Sequence, residues 1–284
     1  MTRKFSFFLK RNWRMLLGGL LFLSVVLISL FASFIAPYDP LEINLANCLR
    51  APSVEPAADG NVYILGTDQL GRDVLSRLIY GGQTSLTVGI CAVGLAGVIG
   101  VTLGLVAGFY GGWIDSVIMR LADIQLAIPS ILLAIVMVAV TGKSLVNIVI
   151  VLAITGWVQF ARVVRGNVLT IKEMEYVDAA RCIGVSDFRI LFRHIFPNVF
   201  FSVIIIATLQ MARMILMEAS LSFLGMGANI SVPTWGNMIS EGRNYITSAW
   251  WLCTIPGLVI VVVIIGINLL GDWLRDFLDP KLKF

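Results

Sequence analysis

The sequence has 284 residues, of which 58% are hydrophobic and only 13% are charged, with a mean hydropathy of +0.91. A soluble globular domain typically has about 25% charged residues, so this composition argues against a soluble protein and favours one that lies in a membrane. Because helices satisfy their own backbone hydrogen bonds in lipid, the expected fold class is an all-α polytopic membrane protein. The net charge of +4 would also fit a nucleic-acid binder.

Six stretches are apolar enough, and close enough to the roughly 20 residues that a spanning helix needs, to be predicted as membrane spans. The first is too long for the apolar part of a cleaved signal peptide, about 7–15 residues, and is therefore interpreted as a retained anchor. The third contains Gln125 and Pro129, which predict a kink or a partly unwound turn. The six predicted spans cover residues 15–36, 84–108, 123–141, 145–163, 199–224 and 249–271.

The basic residues indicate how the chain is oriented. Most of the 21 Lys and Arg residues lie before residue 15, in 109–122, in 162–198 or in the tail, which share one side of the membrane if there are six spans. Cytoplasmic loops of membrane proteins are enriched in Lys and Arg. The distribution predicts that both termini are cytoplasmic, and it explains the positive charge without nucleic acid. We expect two parts: residues 1–83, an anchor helix with an external loop, and residues 84–284, the transmembrane core.

Small residues recur at every fourth position of the second predicted span and form one stripe of a helix. Small side chains let helix backbones approach closely in lipid. Two uses of the stripe are open, packing within this chain and contact with another subunit. The stripe consists of Ala92, Ala96, Gly100, Gly104 and Gly108.

The sequence offers little enzyme chemistry. His194 is the only histidine, and the four cysteines are too scattered for a metal site or a disulfide. Gly142-Lys143-Ser144 is similar to the end of a phosphate-binding loop, but Met137 occupies the position that needs the first glycine. We therefore predict no catalytic or metal site and no cofactor bound by this chain. Ionisable residues inside a membrane usually face a cavity or a partner, so Arg213 and Glu218 are candidates for a translocation path. Glu218 lies near enough to the outer end of its span that a structural role, by snorkelling or pairing, is the open alternative.

The polar segment 164–198 predicts two short helices with a joint between them. Thr170–Glu173 fits a capping box that starts the first helix, and Gly184 suits the left-handed position that ends it. Ser186 is the predicted cap of the second helix, and Pro197 suits the first turn of the next span. The first helix has one apolar face and the second an apolar stripe, formed respectively by Tyr176, Ala179, Ala180 and Ile183 and by Phe188, Leu191, Phe192, Ile195 and Phe196. The segment is either an amphipathic linker on the bilayer or a docking surface for another protein.

Asp178-Ala179-Ala180, followed by Gly184 and Pro197, resembles the EAA loop of ATP-binding-cassette importer permeases. In that family the loop forms a coupling helix that docks on a cytoplasmic ATPase. The departures are Asp178 in place of Glu, His194 in place of an apolar residue and Phe196 in place of Leu. The resemblance implies a coupling role for Glu175, Asp178, Ala179, Ala180, Gly184, His194 and Pro197, with His194 as a structural member of the joint.

Two further stretches are similar to motifs of the C-type subunit in the dipeptide, oligopeptide and nickel branch. Residues 65–77 resemble the signature LGTDxxGRDxxSR, and residues 218–227 resemble EAxLSFLGxG. Locally, the first stretch predicts an interfacial helix that starts at Asp73, contains an Asp73–Arg77 ion pair and ends at Gly81-Gly82. It is either a plain amphipathic linker into the second span, or an external gate or a contact with a substrate-delivering protein, with Arg72 and Asp73 as candidate gate residues.

The resemblance implies a type I importer fold and a place in a prokaryotic cytoplasmic membrane. The implied partners are a homologous second permease subunit, two ATPases that hold ATP and Mg, an extracytoplasmic binding protein and membrane lipid, with no nucleic acid. The expected function is import of di- and oligopeptides by alternating access, with nickel chelates, glutathione or another small solute as alternatives. Two rivals from other classes are a secondary transporter, which would need coupling-ion carboxylates near the bilayer midplane, and a membrane enzyme.

Overall fold

The structure is a computed structural model that describes residues 13–229 and 231–278. Within that part of the chain the regular structure is helical, apart from one isolated β-bridge between Thr67 and Asp73 and short 3₁₀ turns. The helices are α1 (Trp13–Leu30), α2 (Ala32–Ile35), α3 (Val74–Tyr110), α4 (Gly112–Ala127), α5 (Ser130–Thr141), α6 (Leu145–Ile171), α7 (Glu175–Cys182), α8 (Asp187–Ile190), α9 (Phe196–Phe223), α10 (Trp235–Gly242) and α11 (Trp251–Leu278).

Four helical stretches in the described residues are long and apolar enough to cross a membrane: Val74–Tyr110, Leu145–Ile171, Asp187–Phe223 and Trp251–Phe277. The pair α4 and α5 adds a fifth if it is one broken span, and the apolar part of α1, Met15–Leu30, is shorter. An all-helical membrane architecture is therefore as predicted.

The predicted kink in the third span is present as a bend of 92° between α4 and α5. Pro129 cannot donate a backbone hydrogen bond, and the helix stops just before it. Gln125 uses its side chain to reach α6, where Nε2 donates to the carbonyl of Ile154 at 2.8 Å and Oε1 accepts from Trp157 Nε1 at 2.8 Å. Helix α4 begins at Gly112, well before the start of the third predicted span at residue 123.

The small-residue stripe of α3 packs against α6 in the same chain. A Cβ atom added to Gly104 would lie 2.6 Å from the carbonyl oxygen of Ala161, and one added to Gly108 would lie 2.7 Å from Cβ of Val168. Ala92 and Ala96 are fully buried in the same contact region. Of the two uses left open by the sequence, the structure supports packing within the chain, and the subunit-interface reading of this stripe is wrong.

The predicted separate helix over residues 73–82 does not exist, because α3 runs unbroken through Gly81-Gly82 and across the expected division at residue 83. The reason lies in tertiary packing. Cβ atoms on Gly81 and Gly82 would lie 3.4 and 2.9 Å from the ring of Trp235. The indole of Trp235 is buried there, and its Nε1 donates to the carbonyl of Leu78 at 3.0 Å. The two glycines make room for the indole and do not end the helix.

Helix α9 is the central element, since it contacts α3, α6, α10 and α11, while α11 packs along α1. One apolar cluster joins α3, α5, α6 and α9, and a second joins α9 to α10 and α11. A third cluster connects the ends of α3 and α6 to the segment that follows α6, and includes Leu105, Val168, Val177 and Ile195. The segment between α6 and α9 is thus packed on the adjoining ends of α3 and α6.

Candidate functional site

The joint segment, residues 174–198, contains α7, a left-handed glycine, α8 and a π-helical turn, Leu191–Ile195, that leads into α9. Gly184 has φ +76°, as predicted. The Val185 amide donates to the carbonyl of Ala180 at 3.1 Å and the Gly184 amide donates to that of Arg181 at 2.9 Å. This pair of bonds is the Schellman arrangement, which satisfies the last carbonyls of a helix and sets the exit direction of the chain.

Two predicted helix starts in this region are wrong in detail. Thr170 is still inside α6, where its hydroxyl donates to the carbonyl of Gly166, so the capping box with Glu173 is not formed and α7 begins at Glu175. Ser186 precedes α8 as expected, but its side chain makes no capping hydrogen bond. Pro197 lies in the first turn of α9, as predicted.

The apolar face predicted for α7 is largely exposed. Val177 and Ala180 point into the cluster beneath α7, whereas Tyr176 and Ala179 are exposed and Ile183 is 80% exposed. Helix α7 therefore has a buried side, packed on the ends of α3 and α6, and an outward side on which small and apolar residues alternate with the charged residues Glu175, Asp178 and Arg181. A surface of this kind is available for contact with another protein.

The second half of the joint segment divides in the same way. Leu191 and Ile195 are buried, while Phe188 and Phe192 are exposed and their rings are 4.5 Å apart between centroids. His194 lies against the joint, with its ring 6.4 Å from that of Tyr176, and its carbonyl accepts from Asn198 Nδ2 at 2.7 Å. The geometry places His194 within the packing of the segment.

At the opposite end of α3, four charged side chains form the ion-pair cluster: Asp68, Arg72, Arg77 and Glu241. Arg72 Nε lies 2.6 Å from Asp68 Oδ2, and Arg72 Nη2 lies 2.6 Å from Glu241 Oε2. Arg77 pairs with Asp68 and, at 2.9 Å, with Glu241 Oε2. The side chain of Arg77 is only 2% exposed. These contacts tie the loop before α3 to α10.

The electrostatics of the cluster follow from its burial and its balance of charge. Burial would raise the pKa of Glu241, but the hydrogen bond and charge of Arg77, together with the charge of Arg72, hold this pKa below its ordinary value.

The predicted Asp73–Arg77 ion pair is wrong. Asp73 caps α3 instead, with Oδ2 accepting from the Ser76 amide and hydroxyl, each at 2.7 Å. Burial raises the pKa of Asp73 above its ordinary value, although the bonds from Ser76 oppose the shift.

Arg213 and Glu218 do not meet, as expected for residues about 140° apart around a helix. Glu218 is 2% exposed and accepts hydrogen bonds from Ser222 Oγ at 2.8 Å and Ser85 Oγ at 3.4 Å. Arg213 is exposed, and its Nη2 lies 3.5 Å from Ser130 Oγ at the start of α5. Glu218 belongs to the packing between α9 and α3, whereas Arg213 faces away from the chain.

Sequence reasoning missed Asp68, Glu241 and Ser85. Asp68 lies inside the 65–77 motif, so the motif carried a signal for it. Glu241 is 164 residues from Arg77 along the chain, and no local pattern connects them. Among the described residues, no group of three or more His, Cys, Asp or Glu side chains is arranged to hold a metal ion.

Residues 100–284, more than half of the chain, match the family described as the binding-protein-dependent transport system inner membrane component. Residues 3–52 match the N-terminal transmembrane domain of oligopeptide transport permease C. The chain therefore belongs to the family of inner-membrane permease subunits of binding-protein-dependent ABC importers. This membership places it in the inner membrane as a permease subunit, and excludes the two rivals, a secondary transporter and a membrane enzyme.

Individual relatives narrow the class to the dipeptide and oligopeptide branch. The chain is 44% identical to the dipeptide transport system permease protein DppC of Alkalihalophilus pseudofirmus over 97% of its length and 88% of that protein. It is 45% identical to the di/tripeptide transport system permease protein DppC of Pseudomonas aeruginosa, over 94% of its length and 88% of that protein. It is 42% identical to the glutathione transport system permease protein GsiD of Pectobacterium atrosepticum, over 94% and 86%.

The fold is that of a solved importer. The structure is similar to a chain of the inward-facing MetNI methionine ABC transporter, with a TM-score of 0.59 over 72% of this chain and 97% of that one, at 18% sequence identity. The likeness at this identity concerns the fold alone. It agrees with the type I importer fold that the EAA-like motif implied.

Proposed function

We propose that this chain is the permease subunit through which an ATP-driven importer moves di- and oligopeptides across the membrane. It would pair with a homologous second permease, two cytoplasmic ATPases that hold ATP and Mg, and an extracytoplasmic binding protein. The relatives named for dipeptides and for glutathione all carry peptides or a peptide-like solute, which favours this cargo over nickel chelates. Family membership supports the set of partners.

The proposed topology has six spans with both termini in the cytoplasm. Helix α1 supplies the first span and the α4–α5 pair the third, which brings the count from four to six. The joint segment is then cytoplasmic, and the ion-pair cluster is on the outer side. In this proposal residues 1–83 serve as an anchor with an external loop, and residues 84–284 serve as the transmembrane core. The two parts share one continuous helix, α3, which crosses residue 83.

The observation that carries the mechanism is the two-sided packing of α7. Its outward side, with Ala179 and Ile183, is exposed for an ATPase, and its inward side, with Val177 and Ala180, is packed on α3 and α6. Closure of the ATPase dimer would thus move α7 together with two spans and drive alternating access. Glu175, Asp178 and Gly184 set the charge and the exit angle of the docking helix, while His194 and Pro197 fix the second half of the joint. Arg72 and Asp73 belong to an outer gate region that the ion-pair cluster holds together.

The test is ATP-driven uptake by the complete complex in proteoliposomes with loaded binding protein outside. We expect Ala179→Trp to abolish uptake and binding-protein-stimulated ATP hydrolysis, because the indole prevents close approach of the ATPase. The matched control is Gly166→Trp, since a Cβ at Gly166 also meets open space but lies on α6 outside the joint segment. Unchanged uptake and ATP hydrolysis in Ala179→Trp would contradict the coupling assignment.

A further inference from the structure

Arg213 is a cation in the middle of a membrane span, on the surface of the chain. It lies ten residues before the end of α9 at Phe223, or about 15 Å at a rise of 1.5 Å per residue. Long basic side chains avoid lipid by snorkelling when they are near helix ends, and this position is deeper than that. An arginine that faces lipid at such depth is costly. The exposed face of α9 around Arg213 must therefore border protein or water.

No carboxylate of the described chain neutralises this arginine. The ion pairs within residues 13–229 and 231–278 do not include it, and its contact with the Ser130 hydroxyl is long, at 3.5 Å. The acid nearest along the helix, Glu218, is buried and bound to Ser85 and Ser222 on another face. Arg213 is thus exposed, and most of the donors of its guanidinium have no partner within the described residues.

The surroundings extend this basic character toward the outer end of α9. Leu209, Arg213, Leu216, Ser220 and Phe223 follow one another along one side of the helix, and each is exposed or half-buried. Beyond them, the guanidinium of Arg243 lies 5.7 Å over the Phe223 ring and donates to the Phe223 carbonyl. This side of α9 thus carries one arginine, Arg213, and no acidic residue, and Arg243 of the turn after α10 lies over its outer end. It is suited to an anionic group that passes along it.

We propose that Arg213 binds the carboxylate of the transported solute inside the translocation path. This step rests on the proposed importer function and adds a ligand contact to it. The guanidinium presents a planar fork of donors that matches a carboxylate with two parallel hydrogen bonds. In a peptide, the C-terminal carboxylate is present whatever the side chains are, so one arginine serves cargoes of different sequence.

The test uses charge rescue in the complete complex. In a background where the four native cysteines are replaced by Ser, Arg213→Cys removes the charge and leaves a thiol for water-soluble reagents. We expect uptake of a free-carboxylate dipeptide to fall at least about tenfold to a hundredfold, the range for loss of even one of the two charge-assisted hydrogen bonds, while ATP hydrolysis stimulated by loaded binding protein persists. Labelling with an aminoethyl thiosulfonate should restore uptake, and labelling with the sulfonatoethyl reagent should not.

Several outcomes separate this idea from its alternatives. Failure of both reagents to label the thiol would place Arg213 away from water, and equal effects of the two reagents would remove the role of charge. Separation of the two permease subunits in Arg213→Cys would show that its partner is a carboxylate of the second subunit. Each of these results overturns the proposal. Arg275→Cys, also exposed, near the end of α11, is the matched control and should label with little change in uptake. If the unmodified complex shows no ATP-driven uptake, the proposed function itself fails.

Discussion

The two ends of the α3–α6 pair differ in how far their polar side chains are buried within this chain. At one end, the charged groups of the ion-pair cluster are buried against one another, and the loop before α3 is held together by hydrogen bonds of its own. The exposed carboxylate of Asp59, for example, accepts from Asn44 Nδ2 at 2.7 Å, Asn47 Nδ2 at 2.8 Å and the Tyr63 hydroxyl at 3.0 Å. At the other end, the joint segment leaves most of its polar and aromatic side chains exposed. At the first end the buried charges are paired within this chain. At the second end an exposed surface is available for contact with another protein.

The difference also explains where glycine is used. In the loop before α3, Gly66 has φ +79°, and a Cβ there would lie 2.6 Å from the carbonyl oxygen of Arg50. In the joint segment, Gly184 has a similar backbone angle, yet a Cβ would meet nothing within 4 Å. Close packing therefore excludes a side chain at position 66. At position 184 only the left-handed backbone angle favours glycine. The exit of α7 at Gly184 is therefore set by backbone conformation, while α7 itself is held on α3 and α6 through Val177 and Ala180.

The largest expected effect on stability comes from a substitution in the ion-pair cluster. Glu241→Gln removes one negative charge from the buried cluster and leaves Arg72 and Arg77 facing Asp68 alone. Breaking a buried ion pair by removing one partner typically costs about 3–5 kcal/mol, since the remaining charge stays buried without compensation. We expect this loss in the free energy of unfolding of the purified protein in detergent, measured by thermal or denaturant unfolding.

The control for this prediction is an exposed ion pair in the same chain. Arg162 lies 2.5 Å from Asp123, but their side chains are 47% and 55% exposed. Asp123→Asn should therefore change the free energy of unfolding by no more than about 1 kcal/mol. Equal effects of the two substitutions would mean that the cluster is solvated and does not hold the loop to α10.

An intermediate effect is expected between the two ends, along the α3–α6 contact. Gly104→Ala adds a Cβ 2.6 Å from a backbone carbonyl of α6, which has no flexible group to move aside. Overpacking of this kind costs about 1–3 kcal/mol of stability. Gly94→Ala, on an open side of α3 with nothing within 4 Å, should be neutral or slightly stabilising. Denaturant unfolding of both variants measures the difference, and a Gly104→Ala protein as stable as Gly94→Ala would refute the contact.

Much of this architecture was predictable because it depends on local chemistry. Hydropathy located the four helical stretches that are long enough to cross a membrane, Gln125 and Pro129 predicted the bend between α4 and α5, and Gly184 predicted a left-handed helix end. Each of these features follows from the residue itself or from its immediate neighbours, as backbone geometry dictates. The direction of the α3 stripe could not be settled in this way, because packing within one chain and packing between chains use the same small residues.

The failures share a different cause, which is a tertiary partner far away in the sequence. Gly81-Gly82 has the pattern of a helix stop, but Trp235 occupies the space that the glycines leave open. Asp73 and Arg77 have the spacing of a helical ion pair, yet Asp73 is the cap of α3 and Arg77 is held by Glu241. A capped helix end and a buried counter-charge satisfy these side chains better than a single surface pair does.

A smaller effect on stability is expected in the joint segment. Gly184→Ala must hold a left-handed backbone, which costs an L-residue about 1–2 kcal/mol, whereas Gly184→Asn should cost less because Asn tolerates this region. The loss should be confined to the joint segment. Limited proteolysis should cut the Ala variant near residues 183–186 faster than the unchanged protein, with little change in global unfolding. Equal cleavage of the Gly, Ala and Asn proteins would mean that this angle does not restrain the joint.

The smallest effects are expected from pH, and they have opposite signs at two neighbouring carboxyl groups. The pKa of Glu241 is lowered in the folded protein, so its stabilising contribution is present above the ordinary Glu pKa and is lost as pH falls through the lowered value. The pKa of Asp73 is raised, so its ionisation works against folding as pH rises from the ordinary Asp pKa through the raised value. Between acid and neutral pH, Glu241→Gln should therefore lose stability relative to the unchanged protein, while Asp73→Asn should gain. Melting temperatures measured from well below the ordinary carboxyl pKa of about 4 up to neutral pH test both, Glu241 below that pKa and Asp73 above it. Parallel pH profiles for the three proteins would show that neither carboxyl group differs between the folded and unfolded states, and that the cluster is not the self-contained unit its geometry indicates.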